Sequence, residues 1–343
     1  MRLSAILSHK RYGVKIHKEA KYKTGFEDKI AEFEIFDELP VKTGFSWGEK
    51  SKSMAFKWNE FGGEGEDLDE NQRDVVRSRI TGFLNPIGIK YPGDGIIHML
   101  GIFEGSQDQF QVVDISDLDQ DLDETEVKAN FVYTYDPNVA IVIRPADCNM
   151  SVIYAKNREG QDLVGFIHSS GLSVNAGIPR KAIRHLLEVE DIDIASIRIG
   201  ITPGISYENY TMAEVGEIRD DETLDADGLK KIQKSKIIES NWRNDHISER
   251  VSEGDTERRH VDILGATIMQ YIESGLNPNQ IEAYDVDTFL SMQERRGFSH
   301  RLWEVSKEVG IPAKPGRYMV AVKLDSGKKL ADDQKIRNHP KSI

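Results

Sequence analysis

The stretch VAIVIRPADCNMSVIYAKNREGQDLVGFIHSSG, residues 139–171, contains three short apolar runs rich in β-branched side chains. The runs occupy residues 139–143, 152–155 and 163–167. Residues typical of turns, 157–160, separate the last two runs, so the sequence predicts a β-hairpin. We therefore expect β-structure at the centre of the fold.

Cys148, the only cysteine in the chain, lies just before the first hairpin strand, and His168 closes the second. An antiparallel pairing centred on Arg158 would place these two residues directly opposite each other, about 4.5–5.5 Å apart at Cα. A thiolate and an imidazole that close can form either a metal site or a Cys–His catalytic dyad. A buried, hydrogen-bonded histidine beside an unreactive core cysteine is the third interpretation of the same residues.

His98 is a candidate third ligand, because it ends an apolar run after a turn in the way that His168 does. A His–Cys–His set leaves the fourth position of a tetrahedral zinc ion open, which is typical of catalytic rather than structural zinc. The spacings of 50 and 20 residues between His98, Cys148 and His168 match no compact metal motif. Spacing alone therefore leaves all three interpretations open.

The composition is that of a globular chain with enough apolar material for a core, since 38% of its 343 residues are hydrophobic and 30% are charged. A single cysteine excludes internal disulfides and is typical of a reducing compartment. No run approaches 18 apolar residues, and no secretion signal follows Met1. We therefore expect a cytoplasmic protein with no membrane partner.

We expect one large domain over residues 31–324, with a basic extension at residues 1–30 and a polar tail at residues 325–343. The first 25 residues contain seven Lys or Arg and one acidic residue. Because this segment lacks interleaved aromatic residues, we favour a solvated, poorly ordered extension over a nucleic-acid-binding arm. The highly charged residues 214–258 suit an insertion or an exposed helical excursion better than a core. The sequence does not indicate an oligomeric state.

Periodicity and capping signals predict further elements on both sides of the hairpin. Helices are expected to open at residues 69–71, to span 178–190 with Pro179 in the first turn, and to span 261–274 with Gly275 as the stop. Strands are expected at residues 96–100, 110–115, 192–199, near 281 and at 318–324. Residues 169–177 are expected to form a loop of small residues.

Several segments match known family motifs in the correct order. These are Ile96-Ile97-His98, Pro145-Ala-Asp-Cys148, Ile167-His168 followed by Gly177 and a helix, Ile199-Gly200 with Tyr207-Glu208, Phe298-Ser-His-Arg301 and Gly316-Arg317-Tyr-Met319. They resemble, in that order, the Q-V-H, T-A-D-C, V-H-A-G-W-R-G, I-G-P to Y-E, F-S-Y-R and G-R-M-A segments of the laccase-domain family. Members of this family are variously labelled polyphenol oxidase, multicopper oxidoreductase or purine nucleoside phosphorylase. The resemblance spans roughly residues 33–324.

The resemblance implies an α+β fold, a mixed β-sheet core flanked by helices of the cytotoxic-necrotising-factor-like type, in a single large domain. It implies one zinc ion held by His98, Cys148 and His168. It also implies an enzyme acting on purine nucleosides, by phosphorolysis or by adenosine deamination, with nucleoside and phosphate as its partners. In this interpretation Asp147 orients the site or shuttles a proton, and Arg301 and Arg317 bind an anion.

Histidine content excludes a multicopper laccase, which needs paired H-x-H histidines for its blue and trinuclear copper sites. The chain has nine histidines, and no two of them are two residues apart. It also departs from the family pattern at Gly171 and Leu172, which replace a tryptophan and an arginine, and at Ile96, which replaces a glutamine. Two alternatives to a zinc enzyme therefore stay open: a divergent metal-binding protein without catalytic activity, and a Cys–His hydrolase without metal.

Overall fold

Two mixed β-sheets pack face to face, with helices on both outer faces, in the computed structural model of this chain. The structure describes residues 13–26, 29–48, 70–100, 110–116, 125–213, 248–253, 256–293, 298–299, 302 and 316–327. Within these ranges the strands are β1 (Lys15–His17), β2 (Ile30–Ala31), β3 (Val41–Ser46), β4 (Gly95–Leu100), β5 (Val112–Asp114), β6 (Thr125–Lys128), β7 (Phe131–Thr134), β8 (Val139–Ile143), β9 (Asn149–Lys156), β10 (Asp162–Ser169), β11 (Arg198–Ile201), β12 (Thr211–Ala213), β13 (Ser248–Glu253), β14 (Thr256–Val261), β15 (Ile281–Tyr284) and β16 (Val320–Leu324). The α-helices in the same ranges are α1 (Glu70–Leu84), α2 (Gly171–Asn175), α3 (Ile178–Glu188), α4 (Ile263–Glu273) and α5 (Thr288–Gln293).

The first sheet has seven strands in the order β1-β15-β11-β9-β10-β7-β5, and the second has six in the order β2-β3-β16-β8-β4-β6. Parallel pairs such as β11–β15 and β4–β8 occur beside antiparallel pairs such as β9–β10, so both sheets are mixed. A smaller antiparallel sheet has the order β12-β14-β13. The predicted α+β fold in a single domain is confirmed, with the core formed by two stacked sheets.

The core follows from the alternation of side chains along each strand. On β8, Val139, Ile141 and Ile143 pack between the two sheets, whereas Ala140 and Val142 pack on the other face, toward α1. Helices α3 and α4 cover the outer face of the seven-stranded sheet. The order of layers is therefore helix, sheet, sheet, helix, and β8 is buried on both faces, which explains its continuous apolar sequence.

The predicted hairpin is present as β9 and β10, but its register differs from the prediction by two residues. The Asn157 N–H donates to the Gln161 carbonyl at 3.0 Å and closes a three-residue loop of residues 158–160. Gly160, the last residue of this loop, is in the left-handed conformation at φ 86°. This loop type needs φ > 0 at its last position, which glycine adopts without strain. His168 is consequently paired with Met150 and not with Cys148.

Most of the other predicted elements are confirmed. Helix α1 begins at Glu70, α3 begins at Ile178, and α4 ends before Gly275, whose φ of 98° is unfavourable for other residues. The predicted loop at 169–177 is wrong in part, because it contains the short helix α2, with Ser170 accepting a hydrogen bond from the Ser173 N–H.

The strand predicted at 192–199 is displaced toward the C-terminus. The Asp193 side chain accepts a hydrogen bond from the Ala195 N–H and starts a 3₁₀ turn at Ile194–Ser196, so β11 begins only at Arg198. The strand then runs through Gly200, where a Cβ atom would lie 2.6 Å from the Phe33 ring. Gly200 therefore permits close packing within the strand and does not break it.

The predicted insertion and tail lie largely outside the described residues. Residues 214–247 and 328–343 are not among them. The last part of the predicted insertion forms the hairpin of β13 and β14, which is β-structure and not the helical excursion that its charge suggested.

Described residues that precede the predicted boundary at residue 31 belong to the sheet. Lys15–His17 pairs in parallel with β15, and Tyr22 forms a bridge with Ala31. The lysines that suggested a solvated extension form ion pairs with the body of the protein. These are Lys15 and Lys21 with Glu34, Lys18 with Asp285, and Lys23 with Glu32.

A buried carboxylate fixes this strand. Glu282 on β15 is fully buried and accepts hydrogen bonds from His17 Nε2 at 2.8 Å, from the Ile35 N–H at 2.6 Å and from the Glu34 N–H at 3.2 Å. The His17 ring also stacks on Tyr284, with centroids 4.8 Å apart. A buried carboxylate is stable only with such donors, so β1 satisfies a polar group that would otherwise destabilise the sheet.

We predict that Glu282→Gln lowers the free energy of unfolding by about 1–3 kcal/mol, because the amide keeps one acceptor oxygen and turns an NH₂ group toward backbone donors. Chemical denaturation of the two proteins measures this difference. Glu273→Gln is the matched control, since Glu273 is an exposed partner of Arg180 and its loss should change stability by about 0.5 kcal/mol or less. Equal stability of Glu282→Gln and wild type would show that the buried network contributes nothing.

Candidate functional site

One edge of the seven-stranded sheet collects the segments that carry the predicted site residues. Strands β11 and β15 are parallel, and β9 is antiparallel to β11 and to β10. The ends of β10, β11 and β15 and the start of β9 therefore lie at the same edge, which we call the site edge. Residues 144–148, 170–177, 202–210 and 285–287 are the connecting segments there.

Cys148 and His168 are diagonal neighbours at the site edge. Cys148 precedes β9 by one residue and lies two residues before Met150, the partner of His168. Diagonal positions on neighbouring strands are about 7–8 Å apart, which long side chains can bridge. Because the register differs from the prediction by two residues, the side-chain alternation is unchanged. The two backbone positions are therefore diagonal neighbours and are not face to face.

His168 is a neutral imidazole at physiological pH. Its side chain is 8% exposed and its Nδ1 lies 3.4 Å from Ser173 Oγ, while its backbone N–H donates to the Asn130 carbonyl at 2.9 Å. Burial lowers the pKa of His168 from its ordinary value of 6.5 to about 4. Neutral imidazole is the form that binds metals, so His168 does not have to lose a proton before it can act as a ligand.

The segment before β9 is held by a buried network around Tyr318. The Tyr318 hydroxyl donates to the Pro203 carbonyl at 2.6 Å and lies 3.0 Å from Thr202 Oγ1. Thr202 Oγ1 accepts from the Met150 N–H at 3.0 Å, and the Asn149 amide donates to the Thr202 carbonyl at 2.9 Å. These side-chain bonds fix the start of β9 on the side where its pairing with β11 has ended, while β10 pairs with its other side.

Tyr318 is also electrostatically coupled to the candidate site. Burial raises the pKa of its phenol, and the nearby negative charges of Cys148 and Asp147 raise it further. The Tyr318 N–H donates to the Pro145 carbonyl at 3.1 Å. Tyr318 therefore stays a neutral hydrogen-bond donor beneath Cys148.

Asp147 is oriented from the opposite side of the site edge. Its Oδ1 accepts from Thr288 Oγ1 at 2.7 Å, and its carbonyl accepts from the Ile205 N–H at 2.9 Å. Asp287, the residue before Thr288, accepts from Ser206 Oγ at 2.7 Å and from the Asn209 amide. The segments 202–210 and 285–288 are thereby joined to each other and to Asp147.

Asp287 and Thr288 were missed by the sequence analysis. Asp287 also accepts from the Phe289 N–H at 2.9 Å, where α5 begins. An Asp-Thr pair before an apolar run is a helix-start signal. That signal could have located α5, but the contact with Asp147 spans 141 residues and leaves no local trace in the sequence.

The predicted arginines differ in what the structure describes. Arg317 is half-buried and donates from Nη1 to the Arg144 carbonyl at 3.2 Å, so it supports the segment that leads to Cys148. Arg144 itself is buried. Arg301 lies outside the described residues. The anion-binding role of Arg301 and Arg317 stays a prediction.

His98 lies on β4, opposite Val142 and Glu126 in the register, and its side chain is outside the described part. Val142, its partner on β8, and Ile96, two residues before it on β4, pack toward α1. The role of His98 as a ligand stays a prediction. Among the side chains that the structure does describe, no group of three or more His, Cys, Asp or Glu residues is arranged to hold a metal ion.

Gly171, which replaces the tryptophan of the family pattern, contacts Tyr210. A Cβ atom at Gly171 would lie 2.6 Å from the Tyr210 hydroxyl oxygen and 3.3 Å from Cζ. A larger side chain at this position requires Tyr210 to move. The family pattern has a tryptophan side chain at this position, whereas here the hydroxyl of Tyr210, from the segment 202–210, lies where a side chain of residue 171 would begin.

Comparison with known proteins agrees with the motif order. Residues 106–323 match the family described as multi-copper polyphenol oxidoreductase laccase, which is more than half of the chain. The chain belongs to this laccase family. The resemblance drawn from the motifs around Cys148 and His168 is confirmed, and the description of the family associates it with metal.

Solved structures share the fold of this laccase-family chain. A hypothetical protein YfiH from Bacillus licheniformis aligns with a TM-score of 0.56 at 17% identity, covering 86% of this chain and 96% of its own. YlmD from Geobacillus stearothermophilus aligns with a TM-score of 0.57 at 16% identity, covering 89% and 99%. NMB0706 from Neisseria meningitidis aligns with a TM-score of 0.53 at 14% identity, covering 84% of this chain and 96% of its own. No curated protein sequence matches this chain.

The predicted absence of a membrane segment can be compared with the helices directly. In the described ranges no helix combines the length and the apolar character needed to cross a bilayer.

We predict that metal-free protein loses stability as the pH falls from about 6.5 to about 4. The pKa of His168 is lower in the folded chain, so between these values the unfolded chain binds a proton that the native chain does not. The sign is therefore a stability that rises with pH through this window, by about 3 kcal/mol in total. Denaturation of chelator-treated protein at several pH values measures it, and an unchanged slope in His168→Gln would contradict the assignment.

Proposed function

We propose that this laccase-family protein is a zinc-dependent enzyme acting on purine nucleosides. The observation that carries the proposal is that Cys148, directly before β9, and the buried, neutral His168 on the adjacent strand β10 lie at the site edge, next to the oriented Asp147. The function itself comes from the family to which the chain belongs. His98 is the proposed third ligand.

The donor set suits zinc. One cysteine thiolate and imidazole nitrogens are ligands that zinc prefers, and three protein ligands leave a position for water or substrate. Neutral His168 needs no deprotonation before it binds a metal. Cys148 is half-buried and close enough to Tyr318 for a thiolate charge to raise the pKa of the phenol. Zinc bound there would supply a Lewis acid that activates water or polarises the substrate.

The protein's own groups would orient and exchange protons. Asp147 is held by Thr288 through one carboxylate oxygen at 2.7 Å, which fixes the carboxylate next to Cys148. We assign it the role of orienting the site or moving a proton between substrate and solvent. Arg317 and Arg301 are assigned to the phosphate or another anionic group, since guanidinium groups bind such oxygens with two parallel bonds.

A non-catalytic metal-binding protein is the second candidate. The observation that favours it is the pair Gly171 and Leu172, which lacks the arginine of the family pattern and so removes a group suited to substrate. A Cys148/His168 hydrolase without metal is less favoured by the geometry, because the two residues are diagonal and not directly opposed. Metal content and turnover separate these candidates.

We expect purified protein to contain about one zinc per chain, and Cys148→Ala, His168→Ala and His98→Ala each to lose metal and nucleoside turnover together. Removal of one of three protein ligands should weaken binding strongly. Elemental analysis and a nucleoside panel assayed with and without phosphate measure both properties. His185→Gln is the matched control, because His185 lies on α3 beside Glu190 and should keep its metal. Full zinc in His98→Ala would remove His98 from the site.

Chelation and thiol alkylation distinguish the remaining alternatives. Activity that survives chelation but not alkylation of Cys148, the only cysteine, would establish the dyad and overturn the zinc proposal. Bound zinc with no turnover on any nucleoside would establish the non-catalytic protein.

A further inference from the structure

Gly171 and Tyr210 are in close contact. Gly171 begins α2, three residues after His168, and its backbone is not in the left-handed region. A Cβ atom there would approach the Tyr210 hydroxyl oxygen to 2.6 Å, and ring atoms Cζ and Cε1 to 3.3 and 3.4 Å. The glycine therefore makes room for the phenol of Tyr210.

Tyr210 is placed between the two halves of the candidate site. On one side it contacts Gly171 at the start of α2, whose Ser173 Oγ lies 3.4 Å from His168 Nδ1. On the other side it is the last residue of the segment 202–210, in which Ser206 and Asn209 bond to Asp287. Main-chain bonds fix it further, from the Tyr210 N–H to the Ser206 carbonyl at 2.8 Å and from the Val261 N–H to the Tyr210 carbonyl at 3.2 Å.

Tyr210 is only half-buried in this position. It packs beside the apolar cluster of Val174, Val261, Ile263 and Ala266 without being completely covered. The Tyr210 ring, held against Gly171 three residues after His168, offers a flat apolar surface. Flat heteroaromatic bases stack on such rings.

We propose that Tyr210 is a specificity-determining residue on which the base of the nucleoside stacks, and that Gly171 is required because it leaves room for the Tyr210 hydroxyl and so for the position of the ring. This inference rests on the proposed function and names the residue that recognises the base. It assigns no role in metal binding to Tyr210, so the two proposals fail separately.

The test is a set of variants assayed for nucleoside KM, kcat, zinc content and melting temperature. Tyr210→Ala should raise KM about ten- to a hundredfold, with kcat at saturation and zinc content unchanged, because base–aromatic stacking contributes about 1–3 kcal/mol per base. Tyr210→Phe should stay within about threefold of wild type, since the ring remains. Gly171→Ala should resemble Tyr210→Ala, because the added methyl group displaces the phenol.

The double variant Gly171→Ala/Tyr210→Phe is the decisive member of the set. Without the hydroxyl, the new methyl group faces only the ring carbons at 3.3 and 3.4 Å, an approach that small shifts accommodate. Its KM should therefore return to that of Tyr210→Phe. Gly82→Ala on α1 is the matched control, because a Cβ there meets nothing within 4 Å and KM should not change.

Four outcomes overturn the inference. An unchanged KM in Tyr210→Ala would show that the base does not contact the ring, while leaving the zinc enzyme intact. A Tyr210→Phe variant as impaired as Tyr210→Ala would show that the hydroxyl and not the ring recognises substrate. Loss of zinc in Tyr210→Ala would show a structural role in the metal site. Absence of turnover and of nucleoside binding in wild-type protein would overturn the proposed function and this inference with it.

Discussion

The candidate site depends on a short crossing between the two sheets. The chain leaves the six-stranded sheet at Ile143, the end of β8, and enters the seven-stranded sheet at Asn149, the start of β9. Residues 144–148 must span the distance between stacked sheets, roughly 10 Å, and so have little freedom. The segment that contains Cys148 is therefore fixed at both ends, by β8 in one sheet and by β9 in the other.

Glu282 on β15 and His168 near the end of β10 are buried polar groups of opposite character. Glu282 accepts hydrogen bonds from three donors of the N-terminal segment, whereas His168 at the site edge is kept neutral by burial and lies 3.4 Å from Ser173 Oγ. A fully satisfied carboxylate rigidifies its surroundings, while an imidazole with spare coordination capacity is able to bind another group. The same sheet thus separates a structural polar site from one that is chemically available.

How much the sequence predicts depends on how local the determining contacts are. Helices α1, α3 and α4 follow from apolar periodicity and end signals such as Gly275, and the hairpin follows from its own turn residues. The register error at His168 arose because the position of Gly160, and not the midpoint of the polar segment, sets the loop type. The strand status of Lys15–His17 was missed because its basic composition is compensated by acidic residues far along the chain.

The candidate site shows the same limit in sharper form. Cys148, His168 and Asp147 could be proposed from motif order, because each lies within a short local pattern. Tyr210 could not, since its relation to Gly171 depends on an empty volume 39 residues away that exists only in the folded chain. A glycine that departs from a family pattern is easily interpreted as the loss of a side chain. Here the same glycine admits an aromatic ring from another segment, so a departure at one position has to be evaluated together with what fills the vacated space.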